Sequence, residues 1–370
     1  MDTKILSDIC DYRKETVAAN KCDIMTYITT ENMLPNKAGV CTASKCPASG
    51  KVSKYYPGDV LVSNIRPYFK KIYLAEKEGT CSNDVLVFAP KRDVCTSDYL
   101  FCLLSTDAFF AYATKTANGT KMPRGDKTAI MGWQIKCVPI NKQSEISDPI
   151  LNVHRKIKIN EKINDNLFAQ AKAIFANEFC NKNTLPDGWK IGSLIDIASY
   201  LNGLAMQKFR PGKNEKGLPV LKIKELRQGF CDSFSELCSP KINSEYIIDD
   251  GDVIFSWSGS LLVELWGGGT CGLNQHLFKV TSNTYPKWFY YLWTLHHLDK
   301  FIHIAADKAT TMGHIKRGDL AQAEVLIPSE DDFRKIGQML TPIVDLMILN
   351  KIESRKLSIL RDNLLKMLIP

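Results

Sequence analysis

The chain has 370 residues, 45% hydrophobic and 24% charged, which is apolar material for two medium domains rather than one core and excludes both disorder and a collagen-like repeat. Its net charge of +8 permits a polyanionic partner. The opening Met1-Asp2-Thr3-Lys4-Ile5-Leu6-Ser7-Asp8 places acids where a secretory signal needs a basic and then apolar run, and no stretch approaches the ~18 uninterrupted apolar residues of a membrane helix, so a cytoplasmic protein without membrane association is expected.

Along the chain, Val60-Leu61-Val62 after a Pro57-Gly58-Asp59 turn and Val85-Leu86-Val87-Phe88 read as short strands. The aromatic run at 99–104 reads as a helix covering their sheet. Lys115, Lys121, Arg124 and Lys127 then outnumber Asp126 in a Gly/Pro-punctuated stretch. From Ile146, spacings of four and three (Ile150, Val153, Ile157, Asn160, Asn164, Leu167, Ala171, Ile174) mark a coiled-coil seam. Pro149 interrupts it early, so the long continuous helix is expected to start near that proline and to run to Phe179, ~44 Å at ~1.5 Å per residue. Turn formers from Asn181 to Trp189 mark a boundary.

The same series then recurs. Lys208, Arg210, Lys213, Lys216, Lys222, Lys224 and Arg227 face two acids, Glu215 and Glu225, in a loop-rich segment. Val253-Ile254-Phe255 follows an Asp250-Gly251-Asp252 turn, Leu277-Phe278-Lys279-Val280 forms a second strand, and 289–295 repeats the aromatic helix. Gly79-Thr80-Cys81 returns 190 positions on as Gly269-Thr270-Cys271, and Thr120-x-Met122 as Thr310-x-Met312. At that offset lies a second seam: Ile336, Leu340, Ile343, Met347, Asn350, Ser354, Leu357, Arg361 and Leu364, with Pro342 as its early interruption. Asn160 and Asn350 hold equivalent positions, where a polar residue costs stability but specifies alignment. The chain is therefore a tandem duplication of mixed α/β class, arranged globular, helix, globular, helix. Phe168, Phe175, Val344 and Leu346 are expected on the outer faces of the helices, open to a partner.

Chemistry-bearing motifs are sparse. The chain has no Gly-x-x-x-x-Gly-Lys-Ser/Thr loop, no His-Glu-x-x-His, no Gly-x-Ser-x-Gly and no Asn/Asp-Pro-Pro-Tyr/Phe box, and its six histidines offer no acid–base pair by spacing. Its 12 cysteines are scattered without a Cys-x-x-Cys pair, and Cys41-x4-Cys46 lacks a matching pair at zinc spacing, so reduced thiols and no metal are expected. Gly267-Gly268-Gly269 reads as a tight turn, and Asn118-Gly119 as another.

The duplication, with a heptad helix after each globular half, resembles the specificity subunit of type I restriction-modification systems over essentially the whole chain. Gly251-Asp252-Val253-Ile254-Phe255-Ser256-Trp257-Ser258-Gly259-Ser260 is similar to that family's Gly-Asp-Val-Leu followed by a Ser-Gly stretch. Leu273-Asn274-Gln275-His276-Leu277-Phe278 resembles its Asn-Gln strand, and Met312-Gly313-His314-Ile315-Lys316 the segment before a strand ending in Ile-Pro. The first copy departs, with Asp84-Val85 and Ser63-Asn64-Ile65-Arg66-Pro67 at the corresponding places.

The resemblance implies target-recognition domains at 1–140 and 183–328 and spacer helices at 141–182 and 329–370, packed as an antiparallel coiled coil. Each domain would read one half of a bipartite site in double-stranded DNA, and the helices would set the gap. Two methyltransferase subunits and the restriction subunits would be partners, and the chain itself would be non-catalytic, with no cofactor. Groups suited to base or phosphate contact are Arg66, Lys70, Lys71, Lys121, Arg124 and Lys127 in the first domain. In the second they are Lys208, Arg210, Lys213, Ser256, Ser258, Gln275, Lys308, His314, Lys316 and Arg317, with Asn274 beside Gln275. The helix seam would comprise Ile150, Val153, Ile157, Asn160, Leu167, Leu340, Ile343, Met347, Asn350 and Leu357. Two other readings are an enzyme, a DNA methyltransferase or nuclease with duplicated recognition domains, and a coiled-coil scaffold without a nucleic-acid role. The first lacks any stretch left over for a catalytic core, and the basic loops argue against the second.

Overall fold

A computed structural model of the chain describes residues 2–181, 184–307 and 315–370 and divides into two compact units, Met1–Arg155 with Leu357–Pro370 and Lys156–Lys356. In the first unit, Gly58 turns the chain at φ +87°, where only glycine is unstrained. Asp59 follows it into the interior, where it accepts the Tyr56 amide at 2.9 Å and pairs with Arg13 at 2.6 Å. The strand launched from this turn, Val60–Ser63, lies between Val85–Pro90 and Ile72–Leu74, and Cys10–Tyr12 completes a four-stranded antiparallel sheet.

Both faces of that sheet are covered, which is why its strands read as continuous apolar runs. Val60, Val62, Leu86 and Phe88 pack under the helices Ser97–Leu104 and Asp107–Lys115. Leu61, Val85 and Val87 point the other way, onto Ile28, Tyr55 and Cys81 of a second sheet. Each helix begins at a threonine cap, Thr96 and Thr106, whose hydroxyl accepts an amide at 3.2 Å. The second sheet runs Thr16–Ala18, Lys51–Tyr55, Gly79–Cys81, Tyr27–Ile28, its last pair parallel. Asp2–Ile5 pairs with Gln134–Cys137 just ahead of the first long helix, Ile140–Phe175. Ile150 and Leu151 from that helix join Leu365 and Ile369 in this unit's core.

The second unit repeats the plan. Gly251 turns at φ +91°, and Asp252 accepts the Asp249 amide at 2.9 Å and pairs with Lys279 at 3.0 Å. Val253–Ser256 then lies between Leu277–Thr281 and Leu262–Leu265, with Ser199–Asn202 outermost. Val253, Phe255 and Val280 face the aromatic helix Lys287–His296, while Ile254 and Leu277 face Leu221, Ile248 and Leu273. Gly203 presses so closely on the backbone of Leu273 and Asn274 that no Cβ would fit.

The units differ at the margins of their second sheets. Thr16–Ala18 flanks the antiparallel side in the first unit, whereas Leu237–Cys238 flanks the parallel strand Leu218–Leu221 in the second. The repeat thus keeps its two-faced central sheet and varies the outer one.

The long helices, Ile140–Phe175 and Glu330–Leu368, begin well before their prolines and run through them, contrary to the expected start near Pro149 and Pro342. Each proline lies on the exposed side, as does the residue four positions earlier, Glu145 and Gln338. The carbonyl freed by the missing N–H therefore faces water rather than the core, which removes much of the usual cost.

Among the histidines, His297 is buried between the aromatic helix and Leu298–Asp307, with Nε2 donating to the Glu324 carbonyl at 2.8 Å. Burial lowers its pKa from 6.5 to about 4. The unfolded chain takes up this proton below pH ~6.5 and the folded chain only near 4, so stability falls across that window and levels off below it, by about 3 kcal/mol in all. Denaturant midpoints at pH 7.5 and 4.5 should separate by less in His297→Gln, which keeps the donor, than in the wild type. An equal separation would place the acid sensitivity elsewhere.

Candidate nucleic-acid interface and helix pair

In the first unit, three loops converge. The backbone amide of Arg66 donates to the Pro123 carbonyl at 2.8 Å and its guanidinium to the Lys121 carbonyl at 3.3 Å. Arg124 exchanges backbone hydrogen bonds with Asn118 and pairs with Asp84 at 3.2 Å. Arg66, Lys121 and Arg124 are thus brought onto neighbouring loops, with Asp84 engaged by Arg124, and Lys121, Arg124 and Lys127 are exposed. Lys127 opens the short helix Lys127–Met131, capped by Asp126 at 2.9 Å to two amides.

Lys70 and Lys71 do not join this group. Lys70 is bound to Asp107 at 2.7 Å, and Lys71 is half-buried, donating to the Thr30 carbonyl at 2.6 Å, with burial lowering its pKa. Lys71 is a loop tie, and Lys70 shares its acid with the buried Lys37, which also reaches Asp362 at 2.9 Å.

In the second unit, Ser256 and Ser258 are buried, which corrects the expectation that they face DNA. Ser256 Oγ donates to the carbonyls of Ser260 at 2.8 Å and Ser258 at 3.3 Å, closing its own loop around Gly259 at φ +67°. The Ser-Gly stretch is a turn device. Asn274 is also buried, its Oδ1 accepting the His276 amide at 3.4 Å, while the half-buried Gln275 side chain lies against His276. Lys208, Arg210 and Lys213 are exposed on the segment leading to Leu218–Leu221, and Arg210 pairs with Glu236 at 3.0 Å. Lys316 and Arg317 are exposed at the start of the helix Arg317–Ala321. Lys308 and His314 lie outside the described residues.

The structure extends the basic face of this unit. Lys222 also reaches Glu236, and Lys224 pairs with Asp232 at 3.4 Å. Exposed apolar groups, Phe209, Phe234 and Leu237, interleave with these charges. The charge count of the segment announced the basic residues. The aromatic ones were hidden because an apolar residue in a sequence reads first as core.

Within the second unit the long helices run antiparallel and are joined by a polar network in their seam. Asn160 Nδ2 donates to Glu353 at 2.6 Å and to Ser354 at 3.3 Å, Asn164 Nδ2 to the Met347 carbonyl at 3.1 Å, and Asn350 Nδ2 to Asn164 Oδ1 at 2.9 Å. Lys156 adds an ion pair to Glu353 at 3.4 Å. Ile157, Asn160, Leu340, Met347 and Asn350 are buried, and Leu167 and Ile343 half-buried. In the first unit Ile150 is buried and Val153 and Leu357 half-buried. Phe175 and Val344 belong to the core of the second unit rather than to an outer face, because they meet Trp293 and the aromatic helix instead of solvent. Phe168 is partly buried against the same core, and Leu346 is exposed as expected, as are Leu349, Ile159 and Ile163.

Among the described residues no three His, Cys, Asp or Glu side chains gather as metal ligands, and no helix is long and apolar enough to cross a membrane. Burial pushes the thiols of Cys81 and Cys95 up to about 12, away from nucleophilic use.

Two sheets under a helical layer, repeated and each followed by a long helix, define a duplicated α/β scaffold. The family described as Type I restriction modification DNA specificity domain matches residues 1–168 and again 186–358. The chain belongs to this family and is a specificity subunit of a type I restriction-modification system, a non-catalytic component that supplies DNA specificity. It is 23% identical over 340 residues to the type I restriction enzyme MjaIX specificity subunit of Methanocaldococcus jannaschii, covering 85% of this chain and 78% of that one. It is 28% identical over 130 residues to the EcoDI specificity subunit of Escherichia coli, covering 33% of this chain and 29% of that protein. The solved S subunit from M. genitalium shares the fold at TM-score 0.55 and 14% identity, over 100% of this chain and 96% of the other.

A polar seam exchanges stability for alignment. Asn160→Leu with Asn350→Leu should raise the melting temperature while broadening the distance distribution between spin labels introduced through unnatural amino acids at the exposed positions Lys162 and Leu349. A single narrow distance in the double variant would show that the apolar seam alone sets the register.

Proposed function

We propose that each globular unit reads one half of a split double-stranded DNA target, and that the pair of long helices sets the gap between the halves. The observation that carries this reading is the repeat itself: the two-faced central sheet is retained in both units while the outer sheet and its loops diverge, as expected of one scaffold adapted to two different base sequences. A helix of 36 residues such as Ile140–Phe175 is ~54 Å long at ~1.5 Å per residue, or roughly 16 base pairs of B-DNA at ~3.4 Å. In the first unit we assign DNA contact to Arg66, Lys121, Arg124 and Lys127, and in the second to Lys208, Arg210, Lys213, Gln275, Lys316 and Arg317. Phosphate contacts would position the chain and a smaller set of base contacts would specify the sequence.

We further propose that two methyltransferase subunits dock on the helices, joined for cleavage by restriction subunits, and that the assembly works in the cytoplasm. Ile159, Ile163, Leu346 and Leu349 supply exposed apolar area on the helices within the second unit, and Ile359 and Leu360 do so within the first. Ile159 and Leu349 stand 190 positions apart, at equivalent places in the two copies, as a twofold arrangement of one partner requires.

Mapping methylated adenines in cells that express the chain with its methyltransferase should reveal one gapped, asymmetric motif that disappears when the chain is deleted. No motif from an assembled complex would refute the reading. Leu346→Glu with Leu349→Glu should leave the chain folded and remove the methyltransferase from the complex on size exclusion. Undiminished assembly would move the docking surface off this face.

A further inference from the structure

The second unit displays an aromatic side chain that its fold does not use. Phe234 is 73% exposed, between the helix Ile223–Gln228 and the strand Leu237–Cys238. Its support is rigid. The Phe234 amide donates to Asp232 Oδ1 at 2.9 Å, the Ser235 amide to the Asp232 carbonyl at 3.0 Å, and the Asp232 amide to Ser235 Oγ at 3.0 Å. Ser235 is buried, and its hydroxyl donates in turn to the buried Glu225 at 3.1 Å. A flexible loop could fold such a ring back onto apolar surface; this one is held out in water.

Its surroundings identify what it meets. Lys224 pairs with Asp232, and Lys222 and Arg210 both reach Glu236, so each acid near the ring is engaged by a base. The Ser239 amide donates to the Phe209 carbonyl at 2.8 Å, which brings the exposed segment of Lys208, Phe209, Arg210 and Lys213 alongside. Cations in excess around an exposed ring suit a partner that is a polyanion and also offers apolar surface. Double-stranded DNA has both, in its phosphates and in its base faces and thymine methyl groups.

We propose that Phe234 is a specificity-determining residue of the second unit, contacting the bases of its half-site through apolar contact while the lysines and arginines around it hold the phosphates. This rests on the reading that the unit binds DNA. The test uses the full chain in complex with its methyltransferase and a duplex bearing the mapped motif, with a second duplex scrambled in one half-site as control. Phe234→Ser should weaken binding to the cognate duplex on the order of 10-fold, the scale on which one lost base-pair contact weakens a specific duplex complex. It should leave the melting temperature, the assembly and the salt dependence of binding unchanged, because no charge is removed. Phe234→Trp should retain affinity. Lys224→Ala, by contrast, should reduce the salt slope by about one.

Wild-type affinity and an unchanged methylation motif in Phe234→Ser would overturn the assignment. Loss of the methyltransferase from that variant would overturn it differently, by making the ring a protein contact. Failure of the wild-type complex to prefer the cognate duplex would refute DNA reading by the unit, and this role with it.

Discussion

A helix of some 36 residues with an apolar stripe along one side cannot remain solvated on its own; most of its stability must come from a face that packs. In this chain the constraint is met twice over. The early turns of Ile140–Phe175 bury Ile150 and Leu151 in the first unit, with Leu365 from the end of the second helix and Ile369 just beyond it. The later turns bury Ala171 and Phe175 in the second unit, with Leu340 and Val344. The first globular core is not complete from a contiguous segment alone, since that unit needs Leu357–Pro370. Duplication is the economical solution, because one gene segment supplies both a domain and the helix that its copy requires.

The same logic extends to the sheets. A strand buried on both faces tolerates little change, as Val60, Leu61 and Val62 or Val253, Ile254 and Phe255 would leave a void or meet a polar group on one side or the other. The outer sheet is backed only by a small cluster, Tyr27, Ala43 and Val52 in one unit and Met206, Val220, Cys238 and Ile242 in the other, and can gain or lose an edge strand. Divergence is therefore channelled outward, toward Thr16–Ala18 in one unit and Leu237–Cys238 in the other. On the proposed reading, that leaves the outer sheets and their loops free to differ between the two half-sites.

Much of this was legible from residue order because its physics is local. Apolar runs after a Gly-Asp turn become two-faced strands, and the turn works by a glycine in the left-handed region and an aspartate that caps the turn and pairs with a cation. The heptad spacing marked a helix, but the proline rule misplaced its start, since whether a freed carbonyl meets water or core depends on which side of the helix it faces. Ser256 and Ser258 misled for a similar reason. Serines in a glycine-rich stretch look like surface donors, yet the loop closes on itself and uses Ser256 Oγ internally. Lys71 looked like a free cation until its carbonyl partner, 41 positions earlier in the chain, came into view. Phe234 carries no mark of its role in the sequence, because exposure is a tertiary property.

The ion pairs at the basic faces also have a reading beyond stability. Arg124 with Asp84 and Arg210 with Glu236 join partners that are each more than a third exposed. Pairs of that kind contribute little to folding, about 0–1 kcal/mol. Breaking one therefore costs little, while keeping one holds a long side chain away from the many rotamers it would otherwise sample. An arginine held this way can exchange its carboxylate for a phosphate or a guanine edge at small energetic loss and with part of its ordering entropy already spent. The acids inside the basic faces are thus no contradiction of DNA binding. On the proposed reading they would disfavour indiscriminate adhesion to any polyanion, and would leave the larger gain to a duplex whose groups fall where the arginines already point.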